Sequence, residues 1–451
     1  MKKVKRRTYS IIVFIALIAL GLVYFLFRLV VNGSTWITFP SNKNVYSNGV
    51  LAVGTIYDRD GCLLADTAND GIVYSPSETT RKATLHVVGD AHNNIGTGAL
   101  KVFSDELIGY NLVNGTYSMN SDGRDLYLTI DAGLNEVAYN ALGGKKGTVA
   151  VYNYKTGEII CNVSTPTYDP ANKPEIADGD ASYEGVYLNR FFSSSFTPGS
   201  TFKIITTAAA IDSLADAYDH QYTCNGSVTV NGTAVNCTGT HGTIALDQAL
   251  AVSCNCYFAE LSLALGSNTL SEYAEKFGLT SSMKVDGINT AAGSFAPGTD
   301  GSPELAWAGI GQHEDLVNPC AMLNLLGAIA NRGEPVTPRL IAKVSGTLGL
   351  SYSAKNGDRL LSEETADAMK SLMRNNVITN YGDSTFPGLS LCGKTGTAEV
   401  GGGLSPHSWF VGFLNDEENP LAFVVIVENG GSGFSTAAPI ANTVLQAAVN
   451  T

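Results

Sequence analysis

The chain has 451 residues, 44% of them hydrophobic and 15% charged, which is typical of an ordered globular protein with about two or three domains rather than of a disordered one. Its formal net charge is −13, and beyond the first seven residues it carries 23 basic and 41 acidic side chains. This acidic balance argues against nucleic acid or an anionic surface as a partner.

The N-terminal segment predicts a membrane anchor. Five of the first seven residues are basic, and the 20 residues from Thr8 to Phe27 carry no charge, which is enough helix to span a hydrocarbon core of roughly 30 Å. We predict a cytoplasmic tail over residues 1–8, a transmembrane helix over residues 9–31 and an extracytoplasmic remainder, because basic flanks stay inside. A cleaved signal peptide is the alternative, although RLVVNGSTWITF beyond the apolar run is a poor cleavage site. No second apolar run approaches this length, so we expect a single-pass protein.

Residues 32–135 predict a small, β-rich, non-catalytic domain. The segments VGTIYDRDGCLLADT, LHVVGD and RDLYLTID have the character of short strands and loops. No strong helical period precedes DAGLNEVAYNALGG, which marks the approach to the next domain.

Residues 136–451 predict a larger second domain. It opens with a hairpin of KGTVAVYNY and EIICNVST and closes with a hairpin of HSWFVGFLN and LAFVVIVENG. Four helical stretches lie between the hairpins: PGSTFKIITTAAAIDSL, LDQALAVSCNCYFAELSLAL, NPCAMLNLLGAIANRG and SEETADAMKSLMRNN. In the third stretch Asn318 is placed as a cap and Pro319 as the first helical residue. Strands at both ends with helices between them predict an antiparallel β-sheet flanked by helices, an α+β or α/β fold.

The eight cysteines would lie outside the cytoplasm, where pairing is possible. Cys224 and Cys237 bracket a plausible hairpin whose ends a disulfide could bridge, and the sequence leaves that open. Cys254 and Cys256 are predicted on one helix, pointing in different directions. Because no C-x-x-C pair occurs and only six histidines are present, we expect no metal site.

The tripeptide K-T-G occurs twice, at Lys155 and at Lys394. The first copy supplies the turn of the first hairpin, for which Thr-Gly needs no further explanation. The second copy follows the apolar run GLSLCG and is predicted to lie on a strand. Gly388–Thr395 also matches the phosphate-loop pattern, but the spacer LSLC is strand-like and GTAEVGGG cannot begin a stable helix, which argues against a nucleotide site.

Ser200 and Lys203 form an S-x-x-K motif at the start of a predicted helix. Residues three apart share a helical face, so the Lys203 amine should lie beside the Ser200 hydroxyl. Serine needs a base to become a nucleophile, and lysine can serve when burial and a neighbouring positive charge lower its pKa. We expect Lys394 to supply that charge.

Ser253, Cys254 and Asn255 form an S-x-N motif that completes the set. The hydroxyl would relay protons and the amide would hold a substrate peptide. The three motifs occur in the order S-x-x-K, S-x-N, K-T-G, the motif set of penicillin-binding proteins and class A β-lactamases. Each motif alone is weak, and it is the ordered set that carries the functional prediction.

On these residues the chain resembles the penicillin-recognising serine transferases, more narrowly the class B (monofunctional) penicillin-binding proteins. The segments GTIYDRDGCLLA, LYLTIDAGLNEVAYNAL, GTVAVYNYKTGEIICNVSTPTYDP, WAGIGQ and HSWFVGF are similar to family segments. The roughly 110 residues before the second domain are too few for the glycosyltransferase domain of class A members. Val53, where relatives usually have Arg, and Cys254, in the middle of S-x-N, depart from the family pattern.

The resemblance implies a peptidoglycan D,D-transpeptidase that cross-links stem peptides and that β-lactams inhibit covalently. Ser200 would attack the carbonyl between two D-alanines, Lys203 would accept its proton, and Ser253 would help protonate the departing D-alanine. Asn255 would hydrogen-bond the peptide. This chemistry implies no cofactor.

The third motif is expected to bind the substrate's terminal carboxylate through Lys394 and Thr395, with Gly396 in the same substrate-binding segment. The backbone amides of Ser200 and Thr397 would bind the oxyanion. His241 and His407 are predicted to be partly buried, hydrogen-bonded loop residues without a catalytic role.

Three alternatives stay open at this point. A β-lactamase or a D,D-carboxypeptidase would use the same motifs with a water as acceptor, and an inactive scaffold of the cell-wall machinery would need none of them. The family resemblance places the protein in the bacterial cytoplasmic membrane with its catalytic domain outside. It also implies a polytopic glycan polymerase as a possible membrane partner.

Overall fold

The computed structural model describes residues 2–37, 39, 42, 45–47, 50–69, 71–109, 123–345 and 352–450. The described β-strands are β1 (Tyr46–Ser47), β2 (Val50–Leu51), β3 (Thr55–Tyr57), β4 (Leu63–Asn69), β5 (Gly71–Tyr74), β6 (Asp125–Leu128), β7 (Gly147–Asn153), β8 (Ile159–Thr165), β9 (Tyr222–Cys224), β10 (Ser227–Val230), β11 (Thr233–Asn236), β12 (Gly242–Ile244), β13 (Lys284–Val285), β14 (Ile288–Asn289), β15 (Ile341–Val344), β16 (Leu391–Ala398), β17 (His407–Leu414) and β18 (Leu421–Val427). The described α-helices are α1 (Lys2–Ile37), α2 (Glu78–Val88), α3 (Ala99–Val102), α4 (Ser104–Ile108), α5 (Ala132–Leu142), α6 (Arg190–Ser193), α7 (Lys203–Ser213), α8 (Leu246–Ala251), α9 (Asn255–Leu265), α10 (Ser267–Lys276), α11 (Pro303–Ala308), α12 (Pro319–Ala330), α13 (Glu363–Asn376) and α14 (Ala438–Ala448).

The larger sheet has the antiparallel order β16-β17-β18-β7-β8. Both predicted hairpins are confirmed, and they meet where β18 pairs with β7, with Val425 opposite Val149. Helices α5 and α14 cover one face and α12 covers the other, so β18 is buried along its whole length. Burial on both faces explains why its sequence is a continuous apolar run rather than an alternating one. The predicted sheet flanked by helices is therefore confirmed.

The smaller sheet has the order β15-β6-β3-β4-β5. The strands predicted over VGTIYDRDGCLLADT and RDLYLTID are confirmed as β3, β4 and β6. Its edge strand β15 comes from a much later part of the chain and pairs with β6 through Ile341 and Leu128. The N-terminal strands are thus hydrogen-bonded to a segment that follows α12, and their apolar side chains join the core that contains α12.

Two secondary-structure predictions were wrong. LHVVGD was assigned to strand or loop, whereas Leu85–Val88 form the last turn of α2, which Ser77 caps by accepting a hydrogen bond from the Thr80 amide at 3.1 Å. Threonines weaken the helical signal, but packing against α5 and the cap compensate for them. LDQALAVSCNCYFAELSLAL is two helices, α8 and α9, because Ser253 adopts a left-handed φ of 56° between them.

Helix α1 is long and apolar enough to cross a membrane, with a mean hydropathy of 2.8 over its most apolar stretch, within residues 3–33. That stretch makes no buried contact with the rest of the described protein. A helix that is apolar around its whole circumference and unpacked is suited to a lipid environment.

Asn318 connects α12 to the segment that leads to Ser200, in addition to capping the helix as predicted. Its side-chain oxygen accepts from the amides of Cys320 and Ala321, at 3.0 and 3.3 Å. Its amide group donates to three backbone carbonyls of residues 191–194, the shortest at 2.7 Å to Ser194. The side chain is fully buried, so each of these bonds replaces water.

We expect Asn318→Ala to lower the free energy of unfolding by about 2–4 kcal/mol, because a cap is lost and buried carbonyls are left without donors. Ser362→Ala is the control, since Ser362 is an exposed residue that caps α13 through the Thr365 amide. It should cost about 1 kcal/mol. Denaturant unfolding of both variants measures the difference, and equal losses would contradict the linking role of Asn318.

Candidate active site

Ser200 lies in a short 3₁₀ turn, Gly199–Thr201, directly before α7 rather than in the helix itself. The Gly199 amide donates to the Gly311 carbonyl at 2.8 Å, and Trp409 Nε1 donates to the Thr197 carbonyl at 3.0 Å. These bonds fix the turn from both sides. Within the described part of the chain the half-buried Ser200 hydroxyl has no hydrogen-bond partner and opens into a cleft.

Strand β16, which carries the second K-T-G, packs directly against this turn. A Cβ added at Gly396 would lie 2.8 Å from the Pro198 carbonyl oxygen, and one at Gly199 would lie 2.8 Å from the Thr397 carbonyl oxygen. Neither position has room for a larger side chain without a shift of backbone. The glycine of K-T-G therefore allows β16 to lie close against the turn that carries Ser200.

Lys203 is completely buried and makes three hydrogen bonds. Its Nζ donates to the Ser253 carbonyl at 2.7 Å, to Asn255 Oδ1 at 2.7 Å and to Ser253 Oγ at 3.1 Å. Within the described residues the hydrogen bonds of this amine go to these three oxygens, and its position beside the Ser200 hydroxyl stays a prediction. The Asn255 amide is fixed at its other end, where Nδ2 donates to the Asn236 carbonyl at 2.9 Å.

Lys394 approaches the same hydroxyl from the strand. Its Nζ donates to Ser253 Oγ at 3.0 Å and to the Thr395 carbonyl at 3.0 Å, and its side chain is 1% exposed. One serine hydroxyl thus contacts both amines. The structure brings together Ser253, Asn255 and the two lysines, as the sequence predicted.

Burial lowers the pKa of Lys203 to about 7, since a charged amine loses its hydration there. Burial, and then repulsion by Lys203, hold the pKa of Lys394 well below its ordinary value. The sequence analysis expected the charge of Lys394 to lower the pKa of Lys203. In the structure desolvation accounts for the shift at Lys203, and the repulsion is felt at Lys394.

The cleft above these amines has a volume of about 350 Å³. Its lining residues are Ser200, Asn236, Thr238, Ser253, Asn255, Trp307, Ile310, Gln312, Thr395, Thr397 and Glu399. Most of the lining residues carry uncharged polar side chains, which suits a peptide substrate, and Glu399 adds an exposed carboxylate directly after β16.

Several of these residues were not predicted. Asn236 and Thr238 come from the hairpin segment that the sequence analysis treated only as a possible disulfide site. Tyr381 supports Thr395, because its hydroxyl accepts from the Thr395 amide at 2.8 Å and lies 2.8 Å from Thr395 Oγ1. A lone tyrosine in VITNYGD carries no local signal for this contact.

The first K-T-G is a turn, as predicted. Lys155, Thr156 and Gly157 join β7 to β8, with the amides of Lys155 and Thr156 donating to Asn153 Oδ1. Lys155 Nζ donates to Asn331 Oδ1 at 2.7 Å, on the surface.

The two histidines named in the sequence analysis, His407 and His241, make different contacts. His407 is half-buried and accepts from the Asn429 amide at 3.1 Å, as expected, although it begins β17 rather than lying in a loop. His241 Nδ1 lies 3.5 Å from Cys237 Sγ.

Comparisons with known proteins agree on the family of this arrangement. The family model described as "Penicillin binding protein transpeptidase domain" matches residues 147–446. The chain is 29% identical over 378 residues to peptidoglycan D,D-transpeptidase PbpA of Mycobacterium tuberculosis, covering 76% of each chain. It is 29% identical over 355 residues to stage V sporulation protein D of Bacillus subtilis, covering 73% of this chain and 54% of the relative.

Solved structures give the same result. Penicillin-binding protein A from M. tuberculosis, as its ceftriaxone acyl-enzyme complex, is similar with a TM-score of 0.76 and 28% identity, covering 88% of this chain and 98% of that one. The D,D-transpeptidase domain of a peptidoglycan glycosyltransferase from Eggerthella lenta gives a TM-score of 0.75 and 27% identity, with the same coverage.

We expect Gly311→Ala to disturb the Ser200 turn. Gly311 has a φ of 75°, and a Cβ there would lie 2.1 Å from the Gly199 carbonyl oxygen. The substitution should cost about 2–4 kcal/mol of unfolding free energy through backbone strain and overpacking, and should slow acylation of Ser200 by a fluorescent β-lactam.

Gly402→Ala provides the matched control, because Gly402 has a similar φ of 62° with no atom near its Cβ position. It should cost about 1 kcal/mol and leave acylation unchanged. Equal acylation rates in the two variants would contradict the positioning of Ser200 by Gly311.

Proposed function

Because the chain belongs to the penicillin-binding protein transpeptidase family, we propose that it is a peptidoglycan D,D-transpeptidase acting through an acyl-enzyme on Ser200. One observation carries the assignment: two buried lysine amines share the Ser253 hydroxyl beneath a cleft into which Ser200 opens. A structural role alone gives no reason to bury two amines with lowered pKa values at one hydroxyl.

In the first half-reaction Ser200 Oγ attacks the carbonyl between the two D-alanines of a stem peptide. Neutral Lys203 takes the hydroxyl proton as the Oγ–C bond forms. The backbone amides of Ser200 and Thr397 bind the oxyanion. When the C–N bond breaks, the proton passes through Ser253 to the departing D-alanine amine, leaving an ester on Ser200.

Binding and the second half-reaction use the rest of the cleft. Asn255 hydrogen-bonds the peptide, and Lys394 and Thr395 bind the terminal carboxylate along the Gly396 segment. The arriving carboxylate favours the charged form of Lys394. An amine from a second stem peptide then attacks the ester carbonyl and forms the cross-linking amide. The C–Oγ bond breaks, and the proton of the amine passes to the Ser200 oxygen. The exposed carboxylate of Glu399 suits a cationic acceptor strand.

Helix α1 suggests how the protein is oriented in the membrane and what it binds there. The five basic residues at its N-terminal end favour a cytoplasmic N-terminus and therefore an extracytoplasmic catalytic cleft. The unpacked apolar surface of α1 is available to another membrane protein, and a polytopic glycan polymerase is the partner we propose for it. The stem peptide would reach the cleft from the outer face of the membrane.

Ser200→Ala should abolish covalent labelling by fluorescent penicillin, because the attacking oxygen is removed. Ser195→Ala, in a serine whose hydroxyl donates to the Ala292 carbonyl at 2.8 Å, should label like the wild type. Gel fluorescence over time reads both variants. Persistent labelling of Ser200→Ala would refute the nucleophile assignment, and rapid turnover of penicillin without a lasting adduct would favour the hydrolase alternative.

The acylation rate should rise about tenfold between pH 6 and pH 8, because Lys203, with a pKa lowered to about 7, must be neutral to accept a proton. The sign follows from the amine being active only above its pKa. Stopped-flow or timed labelling across this range measures the profile. Lys155→Met, at the first K-T-G, should keep the wild-type profile, whereas a pH-independent rate would refute Lys203 as the base.

A further inference from the structure

Three cysteines and a histidine converge beside the Ser253–Asn255 segment. Cys224 ends β9, Cys237 follows β11, His241 precedes β12 and Cys254 caps α9. One sulfur or ring nitrogen from each of the four lies within 4.8 Å of the other three. All four cysteine and histidine side chains are buried or half-buried, so the cluster lies inside the protein rather than on its surface.

Two separations in the cluster equal those of metal ligands. Cys237 Sγ lies 3.8 Å from Cys254 Sγ and 3.5 Å from His241 Nδ1. On a tetrahedral zinc ion with bonds of about 2.3 Å to sulfur and 2.0 Å to nitrogen, neighbouring ligand atoms are about 3.5–3.8 Å apart. The side chains therefore need little movement to share one ion.

Backbone amides at the start of α9 point at two of the sulfurs. The Asn255 amide donates to Cys237 Sγ at 3.2 Å, and the Tyr257 amide donates to Cys254 Sγ at 3.5 Å. The Cys237 thiol also donates a hydrogen bond to Cys254 Sγ at 3.8 Å, so these two sulfurs share one proton. A cation bound here would displace the shared proton and be held by thiolates.

We propose that Cys224, Cys237, His241 and Cys254 bind one Zn²⁺ as a closed, structural Cys₃His site. Thiolate and imidazole ligands select zinc among the common biological cations, and four protein ligands leave no open position for catalysis. The sequence analysis expected no metal site because the spacing C-x₁₂-C-x₃-H-x₁₂-C has no short cysteine pair. Three strand ends and a helix start bring the ligands together only in the fold.

The ion would position the second motif. Cys254 stands between Ser253, whose φ is 56°, and Asn255, and both of these residues hydrogen-bond Lys203. Cys237 directly follows Asn236, whose carbonyl receives the Asn255 amide. Zinc would therefore link the Asn236–Cys237 side of the cleft to the Ser253–Asn255 segment, which hydrogen-bonds Lys203. The four ligands are positioning residues and contact no substrate.

A disulfide is the competing use of these sulfurs outside the cytoplasm. A Cys237–Cys254 bond would require the sulfurs to close from 3.8 Å to about 2.05 Å. That disulfide would use only Cys237 and Cys254 and would give Cys224 and His241 no role in the cluster. One zinc ion would use all four side chains. The arrangement favours the ion.

The test uses the full-length protein purified in detergent without chelator. Elemental analysis should find one zinc per chain, and Co²⁺ exchange should give thiolate-to-cobalt charge-transfer absorption with the intense visible bands of tetrahedral coordination. Cys237→Ala and His241→Ala should lower zinc content at least tenfold. Cys161→Ala, which removes a buried thiol on β8, should keep the wild-type zinc content.

A second readout tests positioning. Chelation should slow labelling of the wild type by fluorescent penicillin about tenfold or more, and added Zn²⁺ should restore the rate. An unchanged rate in metal-free protein would overturn the positioning role.

Metal-free wild type with a Cys237–Cys254 disulfide in non-reducing peptide mapping would overturn the site, as would equal zinc content in Cys237→Ala and Cys161→Ala. Because zinc content and the cobalt spectrum do not depend on acyl transfer, these failures would leave the proposed transpeptidase function intact.

Discussion

The active centre depends on the burial of two lysine amines around one serine hydroxyl. Removing an amine from water favours its neutral form, and the two positive charges repel, so the pair resists being fully protonated at neutral pH. In the proposed mechanism this allows Lys203 to act as the base without a histidine or carboxylate partner. The surrounding structure keeps the pair in place: α7 carries one amine, β16 the other, and the break between α8 and α9 supplies the hydroxyl.

The local sequence was sufficient to predict the three motifs and the two hairpins of the larger sheet. Ser200, Lys203, Ser253, Asn255 and Lys394 were identified from spacing and chain order, and both hairpins from their apolar runs. These features have short-range signals, since a turn, a cap or an i, i+3 pair is encoded by a few neighbouring residues.

What the sequence did not predict depends on contacts between distant segments. Tyr381, which supports Thr395, is a single tyrosine without a local pattern. Ser253, with its left-handed φ, interrupts a stretch whose residues otherwise favour one continuous helix. The break is stable because Lys203 and Lys394 donate hydrogen bonds to Ser253. The cysteine cluster was overlooked for the same reason, because its spacing becomes meaningful only after β9, β11 and β12 have formed.

The pairing of β18 with β7 joins residues 421–427 to residues 147–153. During synthesis the first hairpin therefore keeps an unpaired edge until residues 421–427 have been made. Such long-range pairing is slow and exposes the chain to mispairing. The same order of synthesis also delays β16, which carries Lys394, so an incomplete chain cannot form the shared hydrogen bonds of the two amines. A chain truncated before β16 is therefore expected to leave Lys203 without the second amine that shares Ser253 Oγ.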